Sequence, residues 1–289
     1  MVILDGKFSA ELGRKGLKDY IEANIDQVGR RPTLTIISFG DDPASRTYVA
    51  NKKKACHEVG ISVKHFAMQE ILPFEDIKAL INFENRSPNV DGIMVQLPLP
   101  DCYDERAILD LIDPKKDVDG LTTTNIGRLR SGEEGMRPCT AKGIMDLLSV
   151  YNYNVDGKNV VIIGRSNIVG KPLADMMMAA GATVTQCHSH TRDLAEHTRF
   201  ADIIVSAVGK PGFITGEHLG RNQILIDVGI NRNEEGKICG DISPVQELFY
   251  AQAMTPVPGG VGPMTVFELL NNTAIAWSEN FKKAEGEES

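Results

Sequence analysis

Several things are missing from this 289-residue sequence, and each absence closes off a class of function. There is no basic excess. Net charge is −8, so a surface built to bind nucleic acid is not expected. The one basic run, Lys52-Lys53-Lys54, is too short to change that. No apolar run approaches the ~18 residues of a membrane span, so no membrane partner is expected. The opening Met-Val-Ile-Leu-Asp-Gly-Lys has no signal-peptide architecture. The five cysteines (Cys56, Cys102, Cys139, Cys187, Cys239) form no Cys-x-x-Cys pair. That spacing argues against a zinc site and a disulfide framework, so no metal is expected and a reducing cytoplasm fits best. Internal repeats and low-complexity segments are absent. So is G-x-x-x-x-G-K-[ST], which excludes an ATP-driven ligase activity within these residues.

What is present reads as a globular α/β protein. Hydrophobic content of 42% and charged content of 24% are ordinary, and the length suggests two domains. In the first half, strand-length apolar runs at Thr33–Phe39, Ile61–Ala67 and Gly92–Gln96 alternate with helical periodicity over Phe8–Val28, Ala44–Val59, Phe74–Glu84 and Tyr103–Ile112. A polar, Gly-rich connection from Asp113 to Pro138 follows. The second half predicts strands at Asn159–Ile163, Ala182–Cys187, Asp202–Val208 and Gln223–Val228, and a helix over Pro172–Ala180. Alternation of this kind predicts parallel sheets with helices on both faces.

Val160-Val-Ile-Ile-Gly-Arg-Ser-Asn-Ile-Val-Gly-Lys-Pro172 reads as strand, Gly-rich turn and helix. Such a turn offers backbone N–H groups and a helix N-terminus to a phosphate. Its spacing departs from G-x-G-x-x-G, because Ser166 stands where the second glycine belongs. NAD sites of this kind place an acidic residue ~20 residues beyond the first glycine. Here that strand ends Cys187-His188-Ser189-His190, without a carboxylate. Arg165, one residue past Gly164, can pair with a phosphate instead, so the pattern favours NADP over NAD.

A lysine stands where an apolar residue belongs. At ~100° per residue, Tyr48, Val49, Lys52, Ala55, Cys56 and Val59 fall within an arc of roughly 120°. Lys53 and Lys54 point away from that stripe. The bland reading is a solvated triple lysine whose first member snorkels outward. The functional reading is a partly buried lysine able to act as a base, with Tyr48 on the same face one turn earlier. Gln96 ends a strand ahead of Leu-Pro-Leu-Pro and could hold Lys52 by a hydrogen bond, or merely cap a loop. Asp119, in Lys116-Asp-Val-Asp-Gly120, stands beside a glycine turn and could be only an Asx-turn residue. Thr255-Pro-Val-Pro-Gly-Gly-Val-Gly-Pro-Met-Thr265 is too rich in proline and glycine for a helix, and its bare glycines admit a flat ligand to the backbone. Thr265-Val-Phe-Glu268 then reads as a capping box opening the last helix near Val266.

These blocks, in this order, resemble the bifunctional methylenetetrahydrofolate dehydrogenase/methenyltetrahydrofolate cyclohydrolase family. The resemblance rests on G-D-D-P-A-S with Tyr48-x-x-x-Lys52, V-Q-L-P-L-P, K-D-V-D-G, G-R-S-x-x-V-G-x-P, C-H-S and the Gly/Pro string, spanning Asp41 to Thr265. Pro138-Cys-Thr-Ala141 departs from it, since relatives commonly have proline in the last position. The resemblance implies two α/β domains flanking a cleft: an N-terminal substrate domain and a C-terminal Rossmann-like NADP-binding domain. Residues 1–120, with the terminal helix from about 266 to 289, would form the first, and 140–265 the second. It implies Lys52, Tyr48 and Gln96 as the catalytic set, with Gln96 tuning the lysine. Tyr48, Asp119, Pro258, Gly259 and Gly260 would meet the folate, Asp119 by its pterin ring. Gly164, Arg165, Ser166, Ser189 and Ile230 would bind the cofactor NADP, with Arg165 and Ser189 on its extra phosphate. Tetrahydrofolate derivatives would be the substrates and a homodimer the assembly. Two other readings stay open: a shikimate-dehydrogenase-like oxidoreductase, and an NADP-binding regulatory protein without turnover.

Overall fold

The computed structural model describes residues 1–245, 248 and 250–286. The first half runs β1 (Val2–Ile3), α1 (Gly6–Val28), β2 (Thr33–Phe39), α2 (Pro43–Val59), β3 (Ser62–Met68), α3 (Phe74–Arg86), β4 (Gly92–Val95), α4 (Glu105–Leu109) and α5 (Thr123–Ser131). The second runs α6 (Cys139–Val150), β5 (Asn159–Ile163), α7 (Gly170–Ala179), β6 (Thr183–Cys187), α8 (Leu194–Thr198), β7 (Ile203–Ser206), β8 (Ile224–Asp227), β9 (Asn231–Arg232), β10 (Ile238–Cys239), β11 (Ala253–Met254) and α9 (Val261–Gly286). The chain divides into two compact units. One comprises Leu12–Cys139 with Val266–Ser289, the other Met1–Glu11 with Thr140–Thr265.

The Leu12–Cys139 unit is built on a parallel sheet of order β3-β2-β4. β2 is the central strand, and its two faces feed two cores. Leu34 and Ile36 pack with Val49, Cys56 and Val59 of α2, Ile21 of α1 and Leu270 and Trp277 of α9. Ile37 and Phe39 pack with Ile77 and Ile81 of α3. Each such buried aliphatic side chain contributes about 1.5–3 kcal/mol. The Trp277 indole N–H is satisfied by the Arg30 carbonyl at 3.2 Å.

The other unit holds a six-stranded parallel sheet of order β1-β11-β8-β7-β5-β6. β2 in one sheet and β5 in the other each have later strands on both sides. The strand order therefore reverses at β2/β4 and at β5/β7, and in open α/β sheets ligands bind beyond the carboxyl ends of strands at such points.

Four sequence expectations change. The first eleven residues do not belong with 1–120, because Val2–Ile3 pairs in parallel with Ala253–Met254 of the six-stranded sheet. The polar stretch 113–138 is not only a connection. Thr122 accepts from the Asn125 N–H and opens α5, and Gly132 closes it in the left-handed conformation. The last helix starts at Val261 rather than Val266, with Pro263 in the first turn, where N–H groups have no intrahelical partner anyway. The Thr265/Glu268 capping box does not form: Thr265 Oγ1 donates within the helix to the Val261 carbonyl, and Glu268 is wholly buried.

Candidate active site

Two half-sites stand at the two reversal points. The first belongs to the Leu12–Cys139 unit. On α2, Val49, Ala55, Cys56 and Val59 are buried as the apolar stripe requires, and Lys52 is half-buried among them. Its Nζ donates to Gln96 Oε1 at 3.0 Å and lies 3.7 Å from Met94 Sδ. Gln96 is 9% exposed, and its Nε2 donates to the Leu97 carbonyl at 2.6 Å. Both ends of this amide are committed, one to Lys52 and one to the loop that follows the strand. The backbone explains the meeting. The Gln96 N–H bonds the Ile37 carbonyl, continuing the β2–β4 pairing by one residue.

A single bridge beside β4 brings the segment that carries Asp119 to the same sheet. Ile93 bridges Asp117 in parallel, and its N–H bonds the Lys116 carbonyl at 2.7 Å. Asp119 follows two residues on, in a turn closed by the Gly120 N–H on the Asp117 carbonyl. Val118 between them is wholly buried. Asp117, not Asp119, closes the turn: its carboxylate accepts from the Leu121 and Thr122 N–H groups and from Asn125 Nδ2. The sequence reading did not separate these two aspartates. Asp119 is left half-buried, without a turn to maintain. Burial raises its pKa most, the Lys52 charge pulls it back, and Asp117 pushes it up again. Cys139, which also went unnoticed, is buried beside it and donates its Sγ–H to the Val118 carbonyl at 3.2 Å. Tyr48, one turn before Lys52, is exposed. Lys53 is half-buried, and its charge joins burial in lowering the pKa of His65 on β3, so it does not simply point away; Lys54 does.

The second half-site belongs to the Met1–Glu11/Thr140–Thr265 unit. After β5, Gly164 takes φ +127°, and a Cβ there would press on the Ala207 carbonyl at 2.5 Å. A Cβ on Gly170 would in turn collide with the Gly164 carbonyl. This close turn leaves Arg165 and Ser166 exposed. Ser166 Oγ accepts from the Val169 and Gly170 N–H groups at 3.2 and 3.4 Å, so it starts α7 where a second glycine was absent. Ile163 pairs with Cys187 as the last residues of β5 and β6, so Arg165 and Ser189 each stand two residues past neighbouring strand ends. Both are exposed, and the stretch 187–190 has no carboxylate. The residues present thus suit a dinucleotide carrying a ribose phosphate: a glycine cradle, a helix N-terminus, an arginine and a hydroxyl.

Ile230 follows β8, exposes half its surface and approaches Gly262. Pro258, Gly259 and Gly260 follow the neighbouring strand β11. These two glycines are not bare. Gly259 accepts the Lys7 N–H at 2.8 Å, and the Gly260 carbonyl fills the place where Gly6 would carry a Cβ. The compact backbone here serves the chain's own packing. Among the described residues, no group of three His, Cys, Asp or Glu could hold a metal, and no helix is long and apolar enough to cross a membrane.

A dinucleotide cradle on one parallel sheet and a lysine–amide–carboxylate set on another define a two-domain α/β nicotinamide-dependent enzyme. Residues 4–119 match the tetrahydrofolate dehydrogenase/cyclohydrolase catalytic domain, and 138–281 its NAD(P)-binding domain. The chain belongs to the tetrahydrofolate dehydrogenase/cyclohydrolase family. It is 48% identical over 274 residues to the bifunctional protein FolD of Synechococcus sp. (strain CC9902), covering 95% of this chain and 94% of that one. The bifunctional FolD methylenetetrahydrofolate dehydrogenase/cyclohydrolase of Campylobacter jejuni superposes with a TM-score of 0.94 at 44% identity, covering 96% and 99%. The Trypanosoma brucei methylenetetrahydrofolate dehydrogenase-cyclohydrolase, complexed with NADP cofactor and inhibitor, gives 0.90 at 35%, covering 96% and 98%. The shikimate-dehydrogenase reading falls with this membership.

Proposed function

We infer that this chain oxidises methylenetetrahydrofolate with NADP⁺ and hydrolyses the methenyl product to formyltetrahydrofolate. The observation that carries the reading is Lys52, held at 3.0 Å by Gln96 beside Asp119 at the carboxyl end of β4, in a member of this family. NADP⁺ supplies the hydride acceptor. The nitrogens flanking the one-carbon unit stabilise the cation left behind, so the first step asks the protein mainly to position. The second step moves protons. Lys52 takes one from water as oxygen bonds the methenyl carbon, and returns it to a folate nitrogen as that carbon–nitrogen bond breaks, while the remaining hydroxyl proton leaves to solvent as the formyl C=O forms. Gln96 aims the amine, Tyr48 orients the folate, and Asp119 accepts hydrogen bonds from the pterin.

The cofactor half is read as NADP-selective because Arg165 and Ser189 are exposed just past neighbouring strand ends, with no carboxylate in 187–190. Ser166, Gly164 and Ile230 complete that side, and Pro258, Gly259 and Gly260 border the folate. The five cysteines are free thiols, which suits a reducing cytoplasm. A homodimer is proposed on the family resemblance, and sedimentation tests it. Absorbance assays with methylenetetrahydrofolate and each nicotinamide cofactor test the whole reading. No oxidation with either, or equal use of NAD⁺, would overturn it in whole or in its cofactor part.

A further inference from the structure

Asp241 follows β10 and is wholly buried. Its carboxylate accepts from Ser206 Oγ at 3.1 Å and from the N–H groups of Val208, Gly209 and Lys210 at 2.8, 3.3 and 2.9 Å. Asn231 Nδ2 adds a fifth donor at 2.9 Å. Three successive N–H groups wrapped around one anion form a nest, here filled by the chain's own side chain. The segments it ties together are not remote from the cofactor side. Ala207, just before the nest, touches Gly164 of the phosphate turn, and Asn231 directly follows Ile230.

Asp227 at the end of β8 secures Asp241 in turn. It accepts from the Asp241 and Ile242 N–H groups at 2.9 Å each and from Gly229 at 3.0 Å. A Cβ on Gly240 would collide with the Asp227 carboxylate, and one on Gly229 with that of Asp241. Two buried carboxylates are thus interlocked through two glycines. Burying like charges together is costly unless each is saturated with donors, and each is. Such an arrangement exceeds what closing a loop needs.

We propose that Asp241 is a positioning residue for NADP⁺, its charge setting the 207–210 and 230–231 segments at the β5/β7 reversal. The inference rests on the function inferred above. Asp241→Asn keeps the shape but turns one acceptor into a donor facing two or three N–H or O–H groups. NADP⁺ binding by calorimetry should weaken about tenfold or more, as losing a charge-assisted bond implies. Cyclohydrolase turnover of supplied methenyltetrahydrofolate, which uses no NADP⁺, should stay within about twofold. Amide exchange at Val208, Gly209 and Lys210 should accelerate. Asn231→Ala removes one donor and no charge, and should weaken NADP⁺ binding about threefold in a fully folded protein. Unchanged NADP⁺ affinity in Asp241→Asn overturns the proposal, as does equal loss of both activities, the mark of a purely structural role. If Asp241→Asn fails to fold, unchanged affinity in Asn231→Ala overturns it, and the threefold loss supports it. Wild-type protein that binds no NADP⁺ would sink the functional reading itself, a separate result.

Discussion

The two proposed half-sites would reach their ligands by different means. In the Leu12–Cys139 unit the chemistry is in side chains from three separate elements. Lys52 comes from α2, Gln96 from the end of β4, and Asp119 from an extra chain segment beside it. They interact through a partly dehydrated space, and their charges feel one another. In the other unit the chemistry is in backbone and exposed side chains on one strand–turn–helix and its neighbour, Arg165, Ser166 and Ser189. Proton transfer needs groups shielded and aimed, whereas phosphate recognition needs donors left open to a ligand arriving from water. Burial is therefore the tool in one half and exposure in the other.

The contrast breaks first at Lys52. Lys52→Met should lower cyclohydrolase turnover by ~10²–10⁴-fold, the usual worth of an acid–base group, while NADP⁺ affinity stays unchanged. Lys54→Met is the better matched control, because Lys53 sits against His65 while Lys54 is exposed. Stopped-flow decay of methenyltetrahydrofolate reads the difference, and equal effects in the two variants would end the helical-face account.

Next comes Arg165→Ala. Losing a charge-assisted bond costs about 1.5–3 kcal/mol, so NADP⁺ kcat/KM should fall roughly 10–150-fold. NAD⁺ kcat/KM should barely move. A variant that keeps its NADP⁺ selectivity would remove Arg165 from the phosphate corner.

Asp119 sharpens the contrast through pH. Burial raises its carboxyl above the ordinary 3.8, so folding favours the protonated form. That contribution is complete below the unfolded value and is lost as pH rises through the raised folded value. Asp119→Asn should therefore raise Tm at pH 7, with the gain shrinking as pH falls toward 4. The same change should raise folate KM about tenfold, since one good acceptor is lost. A Tm that falls at pH 7 would mean that the ionised carboxylate stabilises the apo fold.

The smallest effect is in thiol chemistry. Burial pushes the Cys56 thiol up to about 12 and raises Cys139 and Cys187, while Cys102 is exposed. A thiol reagent at pH 8 should label Cys102 first and leave Cys56 and Cys139, beside the lysine set, silent. Persistence of the fast phase when Cys102 and the partly exposed Cys239 are both changed to Ser would show that the folate side is open.

Legibility followed the range of the interactions. The phosphate turn was readable because its parts lie within one strand–turn–helix, and the alternation of apolar runs announced both parallel sheets. The lysine was readable as an anomaly in a helical stripe. Its partner was only suspected, since nothing local says that Gln96 meets Lys52, 44 positions away. The Gly/Pro string was read as open to ligand, yet Lys7 and Gly6 pack on it from the far end of the chain. Asp227 and Asp241 left only a faint signal, a glycine two residues after the first and one directly before the second.

The sequence by itself determined most of the longer strands and helices, the helical face that carries Lys52, and the phosphate turn lacking a carboxylate beyond it. Those follow from periodicity, caps and turn chemistry, which act over a few residues. Only tertiary structure decided that Asp117 closes the turn while Asp119 remains beside Lys52, that the first strand joins the six-stranded sheet, and that Asp241 fills the nest. A buried polar group must find whatever donors the strand order brings to it, and strand order is set by packing over the whole chain.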